Sequence, residues 1–462
     1  MKKLLGIVVL GLLWCNISFA DDEHLDNFNQ WLFQSGNHQY LNIELSEKCK
    51  SFDKGDINWY SNNCDQPSYK NNLDIKAHKN RWGILYRSNP NRDTLIYYLY
   101  KYQHSHLDGN PNTKQWETVE VKPSKKPYEF KFNLIEDKFV KKQMQTKGIL
   151  SYLYFQDNQV LIDEISPKNR LGEFLDNESK FMSMSMNKSV TSYILGHAMC
   201  DGYIGGLDDR INDWPLLSNT LYENQKLIDF LNMSVGDQKY INEFMNGTTG
   251  HPLADLTYEY ETNTIYTTLG LFFKNTTKSK SYYNYNGFIS QLLFNYVKHK
   301  TGEDFQKILN KVFQDKVKIK NSVHFGKIRN ASDDYGNGHP MVRMTRFDYL
   351  RLAKAIMDDY QNDTCVGKYL KEIYKRRIPK NLNENKSEPL PNRTRSYGGQ
   401  FHMDYPGLEG KIIFGMNGYG GNAILIDMEN SRILVVNSLH YNNTKYKYNH
   451  KKLLYDVIKE GK

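Results

Sequence analysis

Phe181-Met-Ser-Met-Ser-Met-Asn-Lys-Ser-Val-Thr-Ser-Tyr-Ile-Leu-Gly-His197 is the stretch that decides the fold of this chain. It sets Lys188 three residues after Ser185, and on a helix three residues make about one turn, so the two side chains share a face. A lysine there takes a proton from the serine hydroxyl or lowers its pKa. An unassisted serine is a poor nucleophile, and an adjacent base activates it. Apolar residues then recur at Met186, Val190, Ile194 and Ala198, with Tyr193 and Leu195 widening the stripe, which is helical spacing. Gly202 follows Cys200 and Asp201, where a helix end often needs positive φ. The pattern predicts a buried helix with Ser185 at its start, where free N–H groups and the helix dipole favour developing negative charge. Spacing alone does not decide the matter: Ser51 and Lys54 are equally separated, in a polar loop with no apolar helix behind it. The plainer alternative is a serine-capped core helix with a solvated Lys188.

Three further segments carry a resemblance. Gly202-Tyr-Ile-Gly-Gly-Leu-Asp-Asp-Arg-Ile-Asn-Asp-Trp214 follows the helix; Tyr285-Asn286-Gly287 leads into a second apolar helix with Leu292 and Leu293; and Thr345 with Asp348 forms a capping pattern that opens a third. Together with Ser185 and Lys188 they resemble the serine β-lactamase-like hydrolases, which include class C β-lactamases, D-alanyl-D-alanine carboxypeptidases, esterases and 6-aminohexanoate-dimer hydrolases. The similarity covers roughly residues 145–460. It implies an α+β fold: an antiparallel β-sheet flanked by helices, with an inserted helical region. Gly287 stands where penicillin-recognising members carry Asn, which is closer to the 6-aminohexanoate hydrolase and esterase branches.

A literal Lys300-Thr301-Gly302 is not the third motif of that family, because it ends the helix after Tyr285, with Gly302 as its stop. The matching place is Phe414-Gly-Met-Asn-Gly-Tyr-Gly-Gly-Asn422, preceded by Ser396-Tyr-Gly-Gly-Gln-Phe401, which resembles the strand before that motif, and followed by a strand pair at 423–427 and 432–436. Aligning the double glycine puts Gly415 where the family has Lys or His, so the cation that meets a substrate carboxylate is absent there; Arg343 and Lys411 are the rival sources of one.

The resemblance implies that Ser185 is the nucleophile and that Lys188 and Tyr285 carry the protons, in an order the sequence leaves open. The oxyanion hole falls to the backbone N–H of Ser185 and of the Gly418–Tyr419 stretch. Asn286, His339, Asn417, Gly420 and Gly421 are candidate substrate contacts, with a turn role for Asn286 and a plain surface role for His339 as alternatives. The expected partner is a small-molecule or peptide-like ester or amide. Histidines are scattered, and no C-x-x-C or H-x-x-x-H occurs, so no metal or cofactor is expected.

Residues 1–20 read as a secretory signal: Lys2-Lys3, an apolar core from Leu4 to Trp14, and Ser18-Phe19-Ala20 before Asp21. The apolar run is short for a membrane span, and Trp14 before Cys15 disfavours a lipoprotein site. Cleavage near Ala20 gives an exported protein, periplasmic or secreted. Removing Lys2 and Lys3 lowers the formal charge from +9 to +7, with acids interspersed throughout, so no nucleic-acid partner is expected. Oligomeric state is not encoded legibly. Of the remaining cysteines, Cys49 and Cys64 flank a short loop and are the expected pair, while Cys200 reads as a buried thiol.

The chain divides near residue 145. Ile149–Phe155 and Gln159–Ile165 form a predicted hairpin opening the domain 146–462. Residues 21–145 read as a small β-containing module of unknown role, with strands expected at Thr94–Tyr100 and Trp116–Val121. Three functions fit: an exported esterase or amidase; a penicillin-binding carboxypeptidase or β-lactamase; or a non-catalytic binding protein on the same fold.

Overall fold

A computed structural model describes residues 95–96, 99–100, 102–103, 116–240, 264–380, 394–439 and 445–462. The signal segment, Ser51, Lys54, Cys49 and Cys64 lie outside the described residues.

The strands, in chain order, begin with Trp116–Val121 (β1), Lys131–Phe132 (β2), Ile149–Gln156 (β3), Gln159–Ile165 (β4) and Lys180–Met182 (β5). Arg210–Ile211 (β6) and Gln225–Lys226 (β7) form a small hairpin, and Val323–Ile328 (β8) and Gly338–Thr345 (β9) follow. Ile378–Pro379 (β10), Ser396–Gly398 (β11), Phe401–Met403 (β12), Ile413–Gly418 (β13), Asn422–Asp427 (β14) and Arg432–Ser438 (β15) complete them. Nine build one sheet in the order β10-β11-β12-β13-β14-β15-β3-β4-β2, antiparallel except for β2 beside β4. The expected β3–β4 and β14–β15 hairpins are both present. A second sheet, β1-β8-β9-β5, includes the strand expected at Trp116–Val121, which pairs with β8 far along the chain.

Strand alternation divides the apolar residues between two layers. Leu153, Phe155, Phe414, Met416, Ile424, Ile426, Ile433 and Val435 face the larger core. Tyr152, Tyr154, Ile413, Leu425, Leu434 and Val436 face a smaller one, with Val140 and Met144 of helix α1 (Lys138–Thr146) and Leu453 to Ile458 of the C-terminal helix. Helix α2 (Asn187–Cys200) is buried on nearly every side and packs on α3 (Phe288–Thr301). This is the α+β architecture the sequence implies, with helices inserted between β5 and β8. Thr345 caps α4 (Arg346–Gln361) by accepting from the Asp348 N–H, and Gly302 ends α3 at φ +50°, so Lys300 belongs to a helix terminus and binds Asp213.

Three expectations are corrected. The described residues of 94–100 are helical, not a strand: Leu95, Ile96, Leu99, Tyr100, Tyr102 and Gln103 are buried, and their i, i+3, i+4, i+7 spacing lays one face on the core. Tyr102 Oη donates to Asn422 at the start of β14. Cys200 is not a free thiol but is joined to Cys365, tying the end of α2 to the start of α5 (Cys365–Lys375). Ser396–Phe401 is not one strand but β11 and the start of β12, separated by Gly399 and Gln400, both at positive φ.

Candidate active site

The nucleophile turn begins at β5. Ser183 N donates to Val342 O, and Val342 N donates to Ser183 Oγ, pinning the turn to β9. Met184 then takes φ +47°, a costly conformation for a non-glycine residue, and Met184–Met186 form a short 3-10 turn before α2. Ser185 is the only residue between 181 and 198 that is not buried. A rigid, buried frame thus presents one hydroxyl.

Lys188 is 6% exposed, and its Nζ donates to Ser185 Oγ at 3.1 Å. The same nitrogen lies 4.8 Å from the Tyr285 ring centroid. Tyr285 is half-exposed just before α3. The two residues on either side of it are held by Asp237, whose Oδ2 accepts from Asn286 Nδ2 at 3.2 Å and whose Oδ1 accepts from Asn284 Nδ2 at 3.5 Å. Tyr222 Oη also donates to Asp237, at 3.2 Å. Burial pushes the Asp237 carboxyl up to about 6, against these hydrogen bonds.

β13 meets the nucleophile turn at Gly418. A Cβ there would lie 3.0 Å from Ser183 O and 3.3 Å from Met186 Cγ, so glycine permits the approach. Gly420 and Gly421 carry the chain into β14 at φ +86° each, and Asn422 Nδ2 holds Tyr419 O. His402 and Gly415 are the register partners of β12 and β13; beyond them, Met416–Gly418 has no strand on that edge among the described residues.

Gly415 needs a different explanation from a lost cation. A Cβ there would lie 1.7 Å from Tyr405 Oη and 2.5 Å from its Cζ, so the buried Tyr405 ring fills the space a side chain would need. On the face carrying Gly418, the neighbouring side chain is the apolar Met416. Of the two proposed substitutes, Lys411 Nζ binds Asp427 at 3.4 Å, and Arg343 lies on β9 with Met182 and His324 as register partners.

The remaining candidates spread out. Asn286 is buried, with Oδ1 accepting from Ile289 N at 3.0 Å and Nδ2 shared between Asp237 and Asn284 O, so both its ends serve the loop and helix start. Asn417 Oδ1 accepts from Tyr405 Oη at 3.0 Å, while its buried Nδ2 has no partner among the described residues. His339 lies on β9 opposite Gly326 and accepts from Met341 N.

Sequence reasoning missed His402 and Lys380. His402 is 6% exposed, with its ring 5.7 Å from that of Tyr285. Lys380 Nζ lies 2.8 Å from His402 Nδ1 and over the rings of Tyr283 and Tyr397. Burial, then Lys380 and Lys188, hold the imidazole well below its ordinary value, so it is neutral. No group of His, Cys, Asp and Glu suited to a metal occurs among the described residues.

No protein-family profile and no curated protein matches the chain by sequence. Among solved structures, a protein of Bacillus anthracis provisionally assigned as a 6-aminohexanoate-dimer hydrolase is similar over 78% of this chain and 93% of its own, at 11% identity and TM-score 0.54. A D-stereospecific amidohydrolase from Streptomyces sp. is similar over 71% and 100%, at 12% identity and TM-score 0.46. The chain has the fold of the serine β-lactamase and penicillin-binding-protein-like hydrolases.

Proposed function

We propose that this chain is an exported serine hydrolase that cleaves a small or peptide-like ester or amide through an acyl-enzyme. The observation that carries the reading is the 3.1 Å Lys188–Ser185 contact at the one partly exposed residue of an otherwise buried turn, beside Tyr285. Ser185 Oγ attacks the carbonyl carbon and its proton passes to the base of the Lys188–Tyr285 pair, the free amine of Lys188 or the phenolate of Tyr285. The oxyanion is received by the N–H groups of Ser185 and of Gly418 or Tyr419; removing one such donor typically costs about 3–4 kcal/mol. Collapse breaks the bond to the leaving alcohol or amine, which takes the proton, and a water repeats the sequence to free Ser185.

Export is supported by the Cys200–Cys365 disulfide, which belongs to an oxidising compartment, and by the signal-like residues 1–20. No helix among the described residues is long and apolar enough to cross a membrane. Neutral esters and amides are the favoured substrates because Gly415 and Met416 leave the third-motif strand without a cation.

A fluorophosphonate probe tests the reading. It should label the wild-type chain and Ser51→Ala but not Ser185→Ala. Persistent labelling of Ser185→Ala would remove the nucleophile. Given labelling, p-nitrophenyl butyrate should be hydrolysed and a chromogenic cephalosporin hardly at all; cephalosporin turnover at ester-like rates would favour the β-lactamase alternative.

A further inference from the structure

His402 is a polar group beside Tyr285 that the acyl-transfer scheme leaves idle. It sits on β12 directly opposite Gly415, immediately before the stretch of β13 that meets the nucleophile turn. Its Nδ1 faces the Lys380 ammonium at 2.8 Å, and the Thr394 hydroxyl is a more distant neighbour at 3.5 Å. An ammonium can only donate, so Nδ1 accepts and the ring proton must reside on Nε2. No hydrogen bond to Nε2 is made among the described residues. Nε2 is not among the fully buried side-chain atoms that lack a partner, so this N–H is open to a ligand entering beside Tyr285, where a hydrogen bond to it adds about 1 kcal/mol.

We propose that His402 is a substrate-binding residue, a neutral imidazole whose Nε2–H donates to an acceptor oxygen of the bound acyl compound beside Tyr285, with Lys380 as the positioning residue that fixes its tautomer. The proposal rests on the serine-hydrolase reading of the site. A lysine lodged against aromatic rings is well suited to the task. Lys380 lies 5.4 Å from the Tyr283 centroid and 5.7 Å from that of Tyr397, contacts that hold an ammonium in place. Tyr397 and Tyr285 in turn flank the imidazole, with ring centroids 5.1 and 5.7 Å away. The ligand class this selects is an ester or amide with a neutral carbonyl, hydroxyl or ether oxygen near the scissile bond.

The test compares His402→Leu, which removes the donor, with His402→Gln, whose amide N–H reaches the place of Nε2–H. The readouts are the labelling rate of Ser185 by the fluorophosphonate and kcat/KM for p-nitrophenyl butyrate. His402→Leu should lower both about tenfold, the value of one hydrogen bond of about 1.4 kcal/mol, and His402→Gln should stay within about threefold of wild type. In ¹⁵N-histidine spectra the wild-type ring should be the Nε2–H tautomer, and Lys380→Met should convert it to a mixture, a change that loss of packing alone would not produce. The proposal is overturned by unchanged rates in His402→Leu, by equal losses in His402→Leu and His402→Gln, or by an Nδ1–H tautomer in the wild type; the last measurement needs no variant to fold. Failure of the wild type to label would instead sink the hydrolase reading itself, so the two failures are distinguishable.

Discussion

Replacing Gly415 with alanine adds one methyl group where the structure has least room for it. The new Cβ would sit 1.7 Å from Tyr405 Oη and within 2.7 Å of Cζ and Cε2, and Tyr405 is only 2% exposed, in the layer beneath the C-terminal helix. The ring must move. Overpacking of this kind costs about 1–3 kcal/mol. Displacement also breaks the 3.0 Å hydrogen bond to Asn417 Oδ1, worth about 1 kcal/mol. The backbone at 415 is ordinary extended strand, so alanine recovers about 0.4–1 kcal/mol through the unfolded chain. The net expectation is a loss of about 1–3.5 kcal/mol, the balance of these terms.

The partner residue supplies the control. Tyr405→Ala is itself costly, on the order of 3–5 kcal/mol as for other large aromatic truncations, but it vacates the space. In that background Gly415→Ala should be neutral or stabilising, giving a coupling energy of about 1–3.5 kcal/mol between the sites. Urea unfolding of the four proteins, followed by tryptophan fluorescence, measures it. A Gly415→Ala cost below about 0.5 kcal/mol, or an equal cost in both backgrounds, would refute the packing account. The functional corollary concerns Gly415→Lys. It should destabilise the protein without raising its cephalosporin-to-ester rate ratio, because Tyr405, rather than an empty slot, occupies the position. A raised ratio would mean that the family's cation can be restored here after all.

Tyr285→Phe should lower short-chain ester turnover by on the order of 10² as a proton carrier is lost, with Lys188→Ala at least as damaging and Tyr283→Phe nearly silent; the opposite ranking of the tyrosines would move the motif. Asp237 is a carboxyl raised by burial to about 6, so its favourable contribution is complete below the unfolded value of 3.8 and is lost as pH rises through about 6. Stability of the wild type relative to Asp237→Asn should therefore fall as pH rises from about 3.8 to about 6 and level off above that, by up to about 3 kcal/mol at 1.36 kcal/mol per unit; parallel urea-midpoint curves for the two proteins would exclude Asp237 as the source. Reducing the Cys200–Cys365 bond, which closes a separation of 165 residues, should cost up to about 5 kcal/mol by loop closure, and the urea midpoint of Cys200→Ser should not respond to reductant.

What the sequence made legible was local, and what it hid was created by topology. Ser185 and Lys188 are one turn apart on one helix, so their meeting needs only helical geometry, and the apolar period from Met186 to Ala198 announces that helix. The β3–β4 hairpin, the Thr345 cap and the Gly302 stop are local in the same sense. The segment around 94–100 failed because tyrosine-rich apolar runs suit strand and helix alike. Its decisive signal was the continuation through Tyr102 and Gln103, which completes a helical face that a strand reading ignores. The Cys200–Cys365 disulfide was missed for the opposite reason. Its two cysteines are 165 residues apart and carry no local signal of pairing; they meet because α2 packs on α5, a fact visible only after folding.

The third-motif strand shows where these two kinds of information collide. Sequence alignment reads Gly415 as the absence of a lysine, a statement about chemistry. Packing reads it as the presence of Tyr405, a statement about space, and the second is the prior constraint because no cation can be added until the ring leaves. A chain that filled that space with a phenol has given up charge there, and polar character has to enter the cleft from another strand. β12 is the neighbour whose register puts a side chain directly opposite Gly415, and the residue it puts there is His402, fixed by a lysine 22 positions earlier. Glycine at 415 and a neutral imidazole at 402 are therefore two halves of one arrangement. Any attempt to convert this site toward carboxylate-bearing substrates has to change Tyr405 and His402 together with position 415, since altering the glycine alone leaves both the obstruction and the neutral donor in place.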